Sequence, residues 1–133
     1  MNEEKIIHFF CEFNYFVYLC HGFQNIIVVE IVFNKEYLSE LYYNGKCSDK
    51  KHRYQQSIVK RYIRVIDILE SVGSIEDLYR FHSLHYESLV GDLKGFESVR
   101  VGDKYRLIFK STKMDSNPVI TICNIEDLTN HYQ

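Results

Sequence analysis

The sequence predicts an α+β fold, with an N-terminal strand and helices packed on a mostly antiparallel sheet. Residues 26–33 form a β-branched apolar run, segments with helical periodicity follow, and strand-like segments fill the C-terminal third. Strands and helices are therefore segregated along the chain, which is typical of this class. A chain of 133 residues is one domain by size and is long enough to bury a core.

The first strand is the run IIVVEIVF at residues 26–33. Its β-branched side chains predict burial on both faces. Asn34 follows the run and is predicted to cap a short helix over KEYLSELYYNG. Gly45 has the residue type that favours the position just after a helix C-terminus.

A long helix is predicted over residues 48–72, because apolar residues recur there at spacings of four and three. The apolar stripe consists of Tyr54, Ile58, Tyr62, Val65, Leu69 and Val72. Gly73 suits the end of this helix. Ser74 and Asp77 resemble a capping box and predict a turn or two of helix through Phe81.

Strand-like alternation begins near residue 98. Val99 and Val101 are predicted to face one way and Arg100 the other, and Gly102-Asp103 makes a tight connection to the next strand. There, Tyr105, Leu107 and Phe109 share one face, and the opposite face carries Lys104, Arg106, Ile108 and Lys110. The run VITICNI is predicted as a last buried strand, and EDLTNHYQ as a polar tail.

The charge of the chain is unevenly distributed. The net charge of −2 argues against a generic nucleic-acid binder. Residues 50–113, however, hold 13 Lys and Arg against 8 Asp and Glu, and acidic segments flank this basic part. The pattern indicates a localised anion-binding surface. A solvated surface with chance clustering of charge is the alternative.

The four cysteines do not form a recognisable metal site, because no pair has C-x-x-C spacing. We therefore expect free thiols in a reducing compartment, and no metal or other cofactor. A cytoplasmic location is predicted accordingly.

Residues 1–25 are predicted to be an N-terminal extension of the domain, which spans residues 26–133. Glu12 and Asn14 interrupt their apolar run, which is too short to predict a membrane span. A basic leader and a small-residue cleavage site are both missing, so neither a secretory signal nor a membrane partner is predicted. An extra strand, a short helix and residues encoded upstream of the natural start remain open.

The basic residues of the predicted strands suggest one chemistry. Arginine offers a planar pair of donors to a phosphate, lysine a point charge, and histidine a group that moves protons near neutral pH. Such a set can cleave RNA without a metal, by promoting attack of a ribose 2′-hydroxyl on the adjacent phosphate. Exposed strand charges also serve solubility and edge protection, which is the alternative.

The run LVGDLKGFESVRVGDKYRLIF, which begins at Leu89, resembles the signature of the HigB branch of the RelE/ParE toxin superfamily. The signature reads L-x-G-D-L-K-G-x-x-S-V-R-V, followed by an aromatic residue, an arginine and an aliphatic residue. The segments DKKHRYQQSIVKRYIRVIDIL and VITICNIEDLTNHYQ also resemble one subgroup of these toxins. The resemblance covers about residues 27–133 and implies a compact α+β fold.

The resemblance also implies a function and partners. Members of this branch typically cut messenger RNA in the ribosomal decoding site and are held inactive by an antitoxin encoded beside them, here predicted to be a small helix-turn-helix protein. The superfamily also contains inhibitors of DNA gyrase, and fold does not decide the target. A gyrase inhibitor and a decayed toxin that only binds its antitoxin therefore remain alternatives.

The resemblance carries over to individual residues. Arg106 matches the strand arginine that faces the scissile phosphate, and its predicted neighbours in the core direct it outwards. Where relatives often have a histidine, this chain has Glu87, and His85 is the expected substitute. The predicted catalytic set is Arg106, Lys104, His131, Tyr132 and His85. The predicted RNA-binding set is Lys94, Arg100, Lys110, Arg53, Lys60, Arg61 and Arg64.

Overall fold

The computed structural model describes residues 27–115 and 119–130. The expectations for residues 1–25, His131 and Tyr132 lie outside these ranges. The described strands are β1 (Ile27–Phe33), β2 (Glu87–Ser88), β3 (Glu97–Val101), β4 (Tyr105–Met114) and β5 (Val119–Thr129). The described α-helices are α1 (Glu36–Asn44) and α2 (Gln56–Ser71). Short 3₁₀ turns occupy Lys50–His52, Ile75–Arg80, His82–Leu84 and Gly91–Leu93.

The five described strands form one sheet in the order β1-β5-β4-β3-β2. β1 runs parallel to β5, and the other neighbours are antiparallel. A parallel pair needs a long crossover, and the helices lie in the chain between these two strands. The α+β class with a mostly antiparallel sheet is therefore confirmed.

The helices cover one face of the sheet, which we call the inner face. Val99, Leu107 and Phe109 of the sheet are fully buried in one cluster with helical residues such as Leu38 and Tyr62. The buried hydroxyl of Tyr62 donates to the carbonyl oxygen of Leu38 at 2.9 Å, so burying it leaves no orphaned donor. Arg106 and Ser98 belong to the opposite, outer face by strand alternation.

Two helix starts differ from the expectation. α2 begins at Gln56, not at residue 48, because Asp49 accepts a hydrogen bond from the amide of Lys51 and caps a separate 3₁₀ turn. Asn34 does not cap α1: the side chain of Asn34 donates to Glu126 instead, and Lys35 occupies the cap position without a side-chain bond.

Two local signals are confirmed. Gly45 ends α1 with φ at 69°, a left-handed conformation that favours glycine. Asp77 accepts a hydrogen bond from the amide of Ser74 at 3.2 Å, and a 3₁₀ turn starts there.

The last strand is longer than expected. The sequence predicted a polar tail from Glu126, but pairing with β4 continues to Thr129. An irregularity in the register near Glu126 lets Ile125 and Leu128 both be buried, although strict alternation would place them on opposite faces. The irregularity breaks the alternating pattern, which explains why the sequence did not predict this part of the strand.

Candidate functional site

A cleft of about 290 Å³ opens beside the turn between β3 and β4. It is lined by His85, Arg100, Asp103, Lys104, Tyr105, Arg106 and Asn130, and we call it the Arg106 cleft. Three cations and a histidine face a single carboxylate among these residues. With Glu87 beside Arg106, two carboxylates face three cations at this cleft, and the remaining positive charge favours an anion.

Arg106 is held firmly in this cleft. Its Nε and Nη2 atoms donate to the Ser98 hydroxyl at 2.9 and 2.7 Å, and Nη2 also donates to the carbonyl oxygen of His85 at 2.8 Å. Nη2 lies 2.8 Å from a carboxylate oxygen of Glu87, and the side chain is only 17% exposed. Arg106 projects from the outer face as expected, but it is a fixed and partly covered cation.

Glu87 is the residue that the sequence interpretation passed over. β2 places Glu87 directly opposite Ser98 on β3, so the carboxylate lies beside the hydroxyl that also binds Arg106. The side chain of Glu87 is 45% exposed and thus remains accessible from the solvent. Its position in the family signature could have pointed to Glu87, because this residue occupies the position where relatives often have histidine.

The residue before Glu87 anchors this short strand. The hydroxyl of Tyr86 donates to Glu97 at 2.6 Å, and Glu97 also accepts bonds from the amide and hydroxyl of Ser111. Burial and the neighbouring Glu97 raise the pKa of Tyr86, so this hydroxyl stays protonated and donates. The anchor fixes β2, and with it the position of Glu87.

Arg100 and Lys104 approach the cleft from the β3–β4 turn. Arg100 Nε donates to the carbonyl oxygen of Gly102 at 2.8 Å, and Nη2 lies 3.6 Å from Asp103. Gly102 has φ at 69°, and a Cβ added there would lie 3.3 Å from Nη1 of Arg61. The turn thus brings Arg61 of α2 against the same hairpin.

His85 contributes an unusual backbone to the cleft. Its φ of 43° puts it in the left-handed region, where residues other than glycine are strained. His85 contacts Arg106 through its carbonyl oxygen, which accepts a hydrogen bond from Nη2. Strain of this kind clusters at functional sites, so it directs attention to this loop.

The other predicted RNA-binding residues lie elsewhere. Lys94 and Lys110 are exposed but do not line the Arg106 cleft. Lys60 and Arg64 are exposed on α2. Arg53 lines a second cleft of about 320 Å³. The structure therefore brings together His85, Arg100, Lys104 and Arg106 and leaves the other described cations of the predicted set outside this cleft.

The described residues of the site provide groups for acid–base catalysis and for the stabilisation of negative charge. Over residues 27–115 and 119–130, no group of three or more His, Cys, Asp and Glu is placed to bind a metal ion. Cys47 is half-buried and Cys123 is buried, and both are free thiols. Burial raises the pKa of the Cys123 thiol. None of the described helices is long and apolar enough to cross a membrane.

Comparison with known proteins identifies the family. Residues 31–122 match the family model for HigB-like toxins, described as the RelE-like toxin of the type II toxin-antitoxin system HigB. Toxin HigB-1 of Vibrio cholerae serotype O1 is 35% identical over 79 residues, which cover 59% of this chain and 79% of that protein.

A solved structure is also similar. The YoeB/ParE toxin from Agrobacterium tumefaciens aligns with a TM-score of 0.44 and 16% identity, over 77% of this chain and 99% of that chain. The family match covers about two thirds of the chain and confirms the resemblance read from the signature around Gly91 and Arg106. This chain therefore belongs to the HigB-like family of RelE-like toxins of type II toxin–antitoxin systems.

Proposed function

We propose that this protein is a ribosome-dependent, metal-independent endoribonuclease that cleaves messenger RNA during translation. One observation supports the proposal most: Arg106 is fixed on a strand beside the carboxylate of Glu87, in a cleft that also contains Arg100 and Lys104. A fixed cation, a proton acceptor and further positive charge are the groups that metal-free cleavage of RNA requires.

The reaction forms one bond and breaks another at a single phosphorus atom. The ribose 2′-oxygen attacks the adjacent phosphate, and the bond from phosphorus to the 5′-oxygen breaks. The products are a 2′,3′-cyclic phosphate and a free 5′-hydroxyl. One proton leaves the 2′-hydroxyl for a base, and another reaches the 5′-oxygen from an acid.

We assign the base to Glu87. Its carboxylate is part exposed and lies beside the cation that would hold the phosphate, which is the placement that proton abstraction from the 2′-hydroxyl needs. His85, which lines the same cleft, remains the alternative base. The acid is proposed to be His131 or Tyr132, which follow Asn130 in the chain, and Asn130 lines the cleft.

Arg106 and its neighbours would stabilise the charge that develops on the phosphate. A guanidinium that is already oriented costs no reorganisation when negative charge appears in the transition state. Binding the phosphate requires Arg106 to share donors that now contact Glu87 and Ser98. Lys104 and Arg100, at the rim of the same cleft, would supply the remaining positive charge.

We also propose that a helix-turn-helix antitoxin, encoded beside this chain, keeps the toxin inactive by covering the basic surface or by blocking entry to the ribosome. Charge complementarity between a basic cleft and an acidic partner would speed the association. Copurification of a small partner from the native operon is the expected result. Isolation of this chain alone, without a growth defect on expression, would count against the toxin assignment.

The decisive experiment maps the 5′ ends of cellular messenger RNA soon after induction. Codon-phased cuts within translated regions are expected. Intact transcripts together with broken chromosomes would instead support a gyrase inhibitor, and neither effect would support a decayed toxin.

Purified variants would test the assignment of the base. Glu87→Gln keeps the size of the side chain but removes its basicity, and the cleavage rate on ribosome-bound messenger RNA should fall about 10²–10⁴-fold. Glu76→Gln is the matched control, since Glu76 is exposed and outside the Arg106 cleft. Unchanged cleavage by a folded Glu87→Gln protein would return the role of base to His85.

A further inference from the structure

A second cleft lies where the end of α1 meets the start of α2. Its volume is about 320 Å³, and its polar lining includes Lys46, His52, Arg53, Tyr54 and Gln56. We call it the His52 cleft. Its volume is at the lower end of the range for small-molecule sites, which suits a ligand no larger than about one nucleotide.

The two clefts are neighbours. Tyr54 lines the His52 cleft, and its ring packs edge-on against Tyr105, which lines the Arg106 cleft, with 5.4 Å between the ring centroids. The hydroxyl of Tyr54 donates to the carbonyl oxygen of Leu128 at 2.8 Å and thereby fixes this ring. The two clefts are therefore connected by one pair of contacting aromatic rings, one from the lining of each cleft.

The imidazole of His52 is held in place before any ligand binds. Tyr37 stacks on one face of the ring at 3.7 Å between centroids, and Nδ1 lies 2.6 Å from a carboxylate oxygen of Asp49. The hydrogen bond from the amide of Lys51, and then the bond to His52, hold the pKa of Asp49 below its usual range, so this carboxylate stays charged and keeps the ring oriented. Nε2 has no hydrogen-bond partner among the residues that the structure describes, and the side chain of His52 is 31% exposed, so a ligand can reach the ring.

Positive charge accompanies these rings. Lys46 and Arg53 line the His52 cleft and are exposed. Aromatic rings that stack on bases, next to cations that follow the phosphates, are the usual means by which proteins hold single-stranded nucleic acid. The sequence predicted that Arg53 binds RNA. In the structure Arg53 lines the His52 cleft, which is where such binding would occur.

We infer that the His52 cleft is a second nucleotide subsite, which binds the base and phosphate of a messenger RNA nucleotide flanking the scissile phosphate in the Arg106 cleft. The inference rests on the proposed function. The base would contact His52 and Tyr54, and the phosphate would contact Lys46 and Arg53. Holding a flanking nucleotide would fix the position of the reacting phosphate, because binding energy away from the reacting atoms can be used for orientation.

The test uses short RNA that the protein cannot cleave. A trinucleotide with 2′-O-methyl riboses lacks the attacking hydroxyl, and its binding to the full-length protein is followed by chemical shifts of backbone amides. We expect shift changes at Cys47 and Gln56 in the His52 cleft and at Tyr105 in the Arg106 cleft. Replacing one flanking nucleotide by an abasic one should weaken binding at least about fivefold, since stacking is lost.

Charge-matched variants separate a defined subsite from general attraction. The Lys46→Ala/Arg53→Ala double variant should bind this RNA roughly tenfold more weakly, because both phosphate contacts are removed. Lys50→Ala/Lys51→Ala removes an equal charge from two exposed residues that do not line the His52 cleft, and it should have a smaller effect. Equal weakening by both pairs would overturn the inference and leave only an effect of net charge.

Two further outcomes bear on the inference directly. Shift changes that never reach the His52 cleft would overturn it, as would binding that is indifferent to every abasic substitution. The assay needs neither cleavage nor the ribosome. Weaker binding of the abasic RNA and of the Lys46→Ala/Arg53→Ala variant, combined with no cleavage of translated messenger RNA, would therefore refute the proposed function while leaving the subsite in place.

Discussion

Two basic regions of this molecule differ in how their cations are held. Arg106, on β4, is 17% exposed and contacts Ser98, Glu87 and the backbone of His85. Lys60 and Arg64, on α2, are exposed and form no salt bridge with any residue that the structure describes. The comparison shows that equal charge does not imply an equal role. One region holds its cation in a fixed orientation, and the other leaves its cations exposed to solvent.

The difference follows from the secondary structure. Paired strands place side chains of neighbouring strands at fixed distances, so a hydroxyl and a carboxylate can both reach one guanidinium. Residues on the solvent side of a helix lie mainly beside residues three and four positions away on the same helix. An oriented cation suits charge stabilisation in a reaction, whereas exposed surface cations suit long-range attraction to RNA.

The largest expected effect comes from Arg106→Ala. Loss of one oriented donor typically lowers the rate by about 10²–10³. Arg106→Lys should restore only part of the activity, because lysine cannot bind in the bidentate manner of arginine. The measurement is cleavage of ribosome-bound messenger RNA by purified protein, with Lys60→Ala as the control for loss of charge. Full activity of a folded Arg106→Ala protein would remove this residue from the mechanism.

The Arg106→Ala variant should also be less stable, which the outward direction predicted from the sequence would not suggest. An arginine pointing into solvent would contribute little to stability, but removal of Arg106 leaves Glu87 and the buried Ser98 hydroxyl without this partner. Among the described residues, Ser98 keeps only its 3.3 Å bond to Glu87, and the loss of hydrogen bonds that involve a charged group costs about 1.5–3 kcal/mol. Thermal unfolding would measure the cost, and activity should be assayed well below the lowered Tm.

The second prediction concerns the turn where the two regions meet. Gly102→Ala would force a side chain into the left-handed region and place its Cβ 3.2 Å from Ile58 and 3.3 Å from Arg61. The strain alone is expected to cost about 1–3 kcal/mol. Gly91→Ala is the matched control, because its φ of 67° is similar but a Cβ there meets nothing within 4 Å.

Thermal unfolding of both glycine variants would compare them. Gly102→Ala should lower Tm more than Gly91→Ala, since only Gly102 has neighbours that must move. Cleavage activity should fall with it, because the turn carries Lys104 to the Arg106 cleft. Equal Tm losses in the two variants would show that contact with α2 at this turn contributes nothing.

A smaller effect is expected from the helix cations. Lys60→Ala/Arg64→Ala should reduce the affinity for ribosomes a few-fold and make binding less dependent on salt, because fewer counterions are released. The cleavage rate once bound, and the Tm, should stay unchanged, since surface substitutions usually alter stability by no more than about 0.5 kcal/mol. A lower rate at saturating ribosome concentration would contradict the division between the two regions.

The smallest effect is expected from removal of residues 1–25. We propose that these residues are dispensable, because the family match begins only at residue 31. A chain that starts at Ile26, with an added Met, should fold and keep its toxicity. Aggregation of this shorter chain, under conditions where the full chain remains in solution, would show that the segment belongs to the core.

The sequence by itself determined the features that depend on near neighbours. Alternation around Val99 and Leu107 identified the strands and their buried face, and Gly45 marked the end of α1. The family signature from Leu89 onwards identified the fold and the strand arginine. These features could be predicted because each one rests on a short repeat or on the conformational preference of a single residue.

Only the tertiary structure decided which groups meet. Glu87 reaches Arg106 because β2, β3 and β4 pair in one register, and register is set by contacts between distant parts of the chain. The extension of β5 to Thr129 depends on an irregularity that no local pattern reveals. The two neighbouring clefts depend on Tyr54 packing against Tyr105. Local preferences shape each element, whereas the site arises from the packing between elements.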